Sequence, residues 1–121
     1  VRNVEVVVPD LAGWRRARMP SLPSPEDHRF EVVPDWVCEI LSPSTAGKDR
    51  QDKMPLYAHY EVQYAWLIDP VHRMLEVYRL DTATWIKVGH FADDDQVTAP
   101  PFEAMSLDLK AFWVFGRPVL V

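Results

Sequence analysis

The sequence predicts a single α/β domain, and three observations carry that expectation. Apolar runs of strand length recur at residues 4–8, 36–41 and 64–69, and a segment with helical spacing separates the second from the third. The length, 121 residues, suffices for one hydrophobic core but not for two, so residues 1–121 form one domain. A hydrophobic fraction of 48% with only 4 Gly excludes a disordered chain, while 11 Pro place much of it in turns and extended connections.

Residues 4–8 (VEVVV) are a β-branched run closed by Pro9-Asp10, too apolar for an exposed strand and so expected to be buried on both faces, with Asp10 just past its end. Residues 11–30 carry Pro20, Pro23 and Pro25 among Ser and charged residues without a sustained period, the pattern of a long surface loop. After Pro34-Asp35, residues 36–41 (WVCEIL) read as a second core strand that contains one carboxylate, Glu39. The stretch 42–47 (SPSTAG) breaks it, and residues 49–60 space Met54, Leu56, Tyr57 and Tyr60 helically. Proline is tolerated in a first turn, where its missing N–H has no intrahelical partner, so Pro55 sets the start of the regular helix near Asp52.

Residues 64–69 (YAWLID) are a third apolar strand, which Pro70-Val71-His72 turns into a hairpin partner at 74–80. Residues 84–91 alternate Trp85, Lys87 and Gly89 against Ile86, Val88 and His90, as a half-buried strand does, and Asp93-Asp94-Asp95 caps the end. In the last apolar stretch, Leu109, Phe112 and Trp113 fall on one face of a short helix begun at Ser106 or Asp108.

Lys and Arg number 13 against 18 Asp and Glu, a formal charge of −5. That balance weighs against affinity driven by many cation–phosphate contacts, and leaves room for an acidic nuclease whose bound cation offsets the field locally. A lone cysteine, Cys38, cannot form an internal disulfide, no secretory signal opens the chain, and no apolar stretch reaches the length of a membrane helix. A soluble protein of a reducing cytoplasm is expected, and the opening at Val1, directly into a strand, predicts native residues upstream.

Asp10 and Glu39 stand at or inside strands so apolar that a carboxylate there needs a specific reason. Metal ligation is one reason: if the strands pair, the two carboxylates can converge on a hard divalent cation that keeps waters for a substrate phosphate. An ion pair between Glu39 and an arginine, with Asp10 capping a turn, is the structural alternative. On a helix beside the Glu39 strand, Asp49, Lys53 and Tyr57 share one face at i, i+4 and i+8, so Lys53 either points toward the carboxylates or forms a solvated pair with Asp49.

Trp14-Arg15-Arg16-Ala17-Arg18 interleaves an aromatic with cations, which suits a nucleic-acid backbone and a stacked base as well as it suits a Trp14 packed on the core with exposed arginines. His28, His59, His72 and His90 lack zinc spacing with Cys38 and read as surface or hairpin histidines. Cys38 should point opposite to Glu39, into the core.

The succession Val8-Pro9-Asp10, then Pro34-Asp35-Trp36-Val37-Cys38-Glu39-Ile40-Leu41-Ser42-Pro43-Ser44-Thr45, then Asp49, Lys53 and Tyr57-Ala58, then Tyr64-Ala65-Trp66-Leu67-Ile68-Asp69-Pro70 and Leu75-Glu76-Val77-Tyr78, closely resembles the Uma-two family of endonucleases. That family belongs to the PD-(D/E)xK, restriction-endonuclease-like superfamily. The resemblance runs from residue 4 to residue 80, and the Glu-x-Leu-Ser-Pro-Ser-Thr run with the following Asp and Lys is its most specific part.

The resemblance implies a central mixed sheet flanked by helices and metal-dependent hydrolysis of DNA phosphodiester bonds. Asp10 and Glu39 then bind Mg²⁺ or Mn²⁺, Lys53 supports the nucleophile or the phosphate, and Asp49 and Tyr57 stand around them. In the superfamily's usual pattern the lysine follows the glutamate by two residues, a position occupied here by Leu41, so Lys53 acts from the next helix. Members also carry an N-terminal helix with a further acidic residue, which this sequence does not show. Two other readings compete: a non-catalytic nuclease-like module for protein or nucleic-acid association, and a homodimer formed through the edge that the opening strand would expose.

Overall fold

The computed structural model describes residues 9–18, 33–42, 47 and 52–114, the side chains of Phe112 and Val114 excepted. The expected strand at 4–8, the residue Asp49, most of the proline-rich loop and the 43–46 turn lie outside the described residues.

Five strands form one mixed sheet in the order β1 (Leu11–Gly13), β2 (Trp36–Ile40), β3 (Tyr64–Asp69), β4 (Met74–Asp81) and β5 (Thr84–Ala92). The β2–β3 pair is parallel and the other three are antiparallel. A parallel pair needs a crossover rather than a tight turn, and helix α1 (Met54–His59) lies within it. Pro55 sits in the first turn of α1, as its missing N–H requires. A small ladder of β6 (Gln96–Val97) and β7 (Leu107–Asp108) leads into a 3₁₀ helix, Leu109–Val114.

Side chains alternate across a strand, so each run of apolar residues feeds two cores. Val37, Leu41, Ala65 and Leu67 pack with Met54, Tyr57 and Val62 on the α1 side. Cys38, Trp66, Ile68, Leu75 and Val77 pack on the other side with Val97, Ala99, Leu109 and Trp113. Each fully buried large side chain contributes about 1.5–3 kcal/mol through removal from water. Glu39 shares the parity of Val37 and Leu41 and therefore faces α1, while Cys38 faces the opposite core, as the alternation requires.

Four elements differ from the sequence expectation. Leu11–Gly13 is a strand, not the start of the loop, because its backbone extends the sheet antiparallel to β2. The regular helix starts at Met54 rather than Asp52, and Asp52–Lys53 form a wider turn before it. In β5 the strict alternation fails, because a bulge shifts the register between Val77 and Tyr78 and carries Gly89 to the Val77 face and His90 to the Glu76 face. Gly89 is needed there, since an added Cβ would stand 2.8 Å from the Phe91 ring. The terminal helix is a 3₁₀ turn starting at Leu109, with Leu109 and Trp113 buried and the Trp113 indole donating to the Asp93 carbonyl at 2.6 Å.

No helix among the described residues is long and apolar enough to cross a membrane.

Candidate active site

Register brings Asp10 and Glu39 together. Leu11 pairs with Cys38 in the antiparallel β1–β2 ladder, so Asp10, one residue earlier, stands opposite the Glu39 end of β2. There its Oδ2 accepts the Ile40 N–H at 2.6 Å. Asp10 is exposed, so its carboxylate remains open to an incoming group.

Glu39 is the reverse case, only 1% exposed. Its charge is tolerated because both oxygens have partners supplied by one helical face. The Tyr57 hydroxyl donates to Oε1, and Lys53 Nζ stands 3.2 Å from Oε2. Lys53 thus reaches the carboxylate, and the cation beside Glu39 is a lysine rather than an arginine. The i, i+4 spacing of Lys53 and Tyr57 places both on that face. Burial pushes the Glu39 carboxyl above its ordinary range, the Tyr57 and Lys53 hydrogen bonds and the Lys53 charge oppose that shift, and the Asp10 charge adds to it.

The same charges act on the far side of β2. Burial, then the Glu39 and Asp10 charges, push the Cys38 thiol up to about 12, so this cysteine is a core residue and not a nucleophile.

Among the described residues no cluster of three or more His, Cys, Asp and Glu side chains is placed to hold a metal. The donor set of Asp10 and Glu39 nevertheless fits Mg²⁺, which is held by one or two carboxylates while waters and substrate phosphates fill the other positions. Each carboxylate oxygen has two lone-pair sites, so the bonds from Ile40, Lys53 and Tyr57 leave acceptor capacity on both residues.

The Trp14–Arg18 segment sits at the other end of β2. Asp35 accepts the Arg15 N–H and the Arg18 guanidinium, each at 2.7 Å, so Arg18 is tied to the fold. Asp35 precedes Glu39 by four residues, about 13 Å along a strand. Trp14 is half-buried, and Arg15 and Arg16 are exposed.

One charged group escaped the sequence reading. Glu76 is 8% exposed on the α1-facing side, and it lies in the same cross-strand row as Glu39 through Leu67. It is partnered by Lys87 Nζ and the Tyr78 hydroxyl, each at 2.7 Å. A glutamate inside Leu75-Glu76-Val77 carries the same signal as Glu39 inside its own run. The hairpin register that sets Lys87 opposite Tyr78, ahead of the bulge, was not visible in the sequence.

Comparison with known proteins agrees with this architecture. The family model Uma2, described as "Putative restriction endonuclease", matches residues 3–110. No curated protein matches the chain. Among solved structures, the chain is similar to one described as "a putative nuclease belonging to DUF820" from Anabaena variabilis, at 28% identity and a TM-score of 0.65. The match covers 88% of this chain and 59% of that one, so the chain spans about three-fifths of that nuclease's length. The mixed sheet with its helices is the restriction-endonuclease-like architecture expected from the sequence.

Proposed function

The chain belongs to the Uma2 family, and from that premise we propose that it hydrolyses DNA phosphodiester bonds with a divalent cation held by Asp10 and Glu39. The observation that carries the reading is the convergence of Asp10, Glu39, Lys53 and Tyr57 at one end of β2, from three separate parts of the chain. Mg²⁺ or Mn²⁺, bound there, would supply a Lewis acid that activates water and neutralises charge on the phosphate.

The chain's own residues set the rest. Ile40 N–H fixes the Asp10 carboxylate, and the Tyr57 hydroxyl fixes that of Glu39, so both ligands are oriented before substrate arrives. Lys53 is 30% exposed, which lets its ammonium meet a phosphate oxygen while still bonded to Glu39. Arg15 and Arg16 are exposed and give the duplex backbone cationic contacts away from the reacting bond, with Trp14 beside them. The sequence spacing makes Asp49 a further candidate for this site, and a homodimer in the cytoplasm is the assembly that we expect.

The test is cleavage of plasmid and linear DNA by the purified protein with Mg²⁺, Mn²⁺ or EDTA, beside Lys53→Ala. We expect metal-dependent nicking and a fall of about 100-fold or more in the variant, the scale of losing one preorganised charge at a developing charge. DNA binding without cleavage in any metal would instead identify a non-catalytic module.

A further inference from the structure

The carboxyl ends of β2 and β3 lie side by side, and ligands of open α/β sheets bind outside such ends. Glu39 pairs with Leu67, and Asp69 follows Leu67 by two residues, so Asp69 lies on the Glu39 face at the same end of the sheet. Asp69 opens the turn into β4. Its Oδ1 accepts the N–H groups of Val71 and His72, each at 3.1 Å, and its Oδ2 meets His72 Nδ1 at 2.8 Å.

The two backbone bonds close this turn and need no imidazole. The ring contact does something further: it fixes the ring's orientation and assigns Nδ1 to Asp69, which leaves Nε2 for an incoming group. The His72 side chain is 68% exposed, so such a group can reach it. Partial burial works to raise the Asp69 carboxyl, but the His72 hydrogen bonds and charge and the Val71 N–H hold it below its ordinary range. A carboxylate that orients an exposed imidazole is the arrangement by which proteins position a proton-transfer group.

Resting on the endonuclease reading above, we propose that His72, oriented by Asp69, donates a proton to the leaving oxygen as the phosphodiester bond breaks at the Asp10–Glu39 centre. The bond from the attacking water oxygen to phosphorus forms and the bond from phosphorus to the leaving oxygen breaks. The leaving oxygen takes the Nε2 proton, the water's proton passes to solvent, and the neutral imidazole regains a proton from solvent. No redox partner enters.

The experiment uses the intact protein, His72→Asn, and two DNA substrates, one ordinary and one with sulfur in place of the leaving oxygen, assayed with Mn²⁺. Asparagine puts an N–H near the position of Nδ1 and so keeps the Asp69 contact, but it has no counterpart of Nε2. Its thermal midpoint is expected to match the parent's. On ordinary DNA its kcat should fall by about 100-fold or more. On the sulfur substrate, whose leaving group needs no proton, it should approach the parent. Equal rates for parent and variant on ordinary DNA, or the same loss on both substrates, would overturn the role of His72 while leaving the endonuclease reading intact. A parent that cleaves neither substrate would overturn both.

Discussion

Glu39→Gln is expected to abolish metal-dependent DNA cleavage and at the same time to raise the thermal midpoint of the metal-free protein. The loss should exceed about 100-fold, because substitutions that only touch groups behind metal ligands already cost 10–100-fold. The gain in stability follows from burial. Glu39 is 1% exposed, and burial outweighs Tyr57 and Lys53 in pushing its carboxyl above the ordinary 4.5.

A raised folded-state value means that the folded protein holds the proton more tightly than the unfolded chain. The associated stability is fully present below pH 4.5 and is lost as pH rises through the folded-state value. Glutamine keeps an acceptor for Tyr57 and carries no charge to desolvate. Its advantage over the parent should therefore be absent below about pH 4.5, grow above it and level off once Glu39 is ionised in both states. Thermal melts of the two proteins across that range check the sign. A variant that melts lower than its parent at neutral pH would show that the Lys53 pair, not burial, governs this site.

Asp10→Asn and Asp10→Ala are expected to lose cleavage to a similar extent, again by about 100-fold or more, but to differ in stability. Asparagine retains a carbonyl acceptor for the Ile40 N–H, which Asp10 holds at 2.6 Å. Alanine removes it, at a cost of about 1 kcal/mol for a net hydrogen bond, or about 4 °C in a domain of this size. The asparagine variant should melt with the parent or slightly above it, since the Asp10 charge raises the Glu39 carboxyl and its removal relieves that repulsion. Cleavage assays beside melting curves separate the two roles of this residue. Full activity in Asp10→Asn would remove Asp10 from the metal site, and a shared loss of stability in both variants would make its role structural.

Much of the fold was legible because its strands are extreme. The runs at β2 and β3 are apolar on both faces, which only a sheet sandwiched between two cores requires, and Pro55 located the first turn of α1 within two residues. The short β1 was not legible. Leu-Ala-Gly has no strand pattern of its own and is extended because β2 offers its edge. Nor was the β5 bulge, since Thr84–Ala92 alternates well and the slip is set by the partner strand and by the Phe91 ring over Gly89.

At the site, the sequence singles out Glu39 because a carboxylate amid Val37, Cys38 and Ile40 demands a reason, and helical spacing puts Lys53 and Tyr57 on one face without deciding between Glu39 and a solvated Asp49 pair for Lys53; the structure brings both to Glu39. By its place after Pro70-Val71, His72 reads in the sequence as a hairpin histidine. Its contact with Asp69 depends on how the turn closes, and the place of Asp69 at the Glu39 end of the sheet depends on the parallel register of β2 and β3, which no local pattern encodes.

The most direct test of the account is a calorimetric titration of Mn²⁺ into the protein and into Glu39→Gln, with DNA cleavage read on the same samples. Saturable binding by the parent, loss of that binding in the variant, and cleavage only where the ion binds are the expected results. Equal binding by both proteins, or cleavage that persists in the variant, would contradict the account.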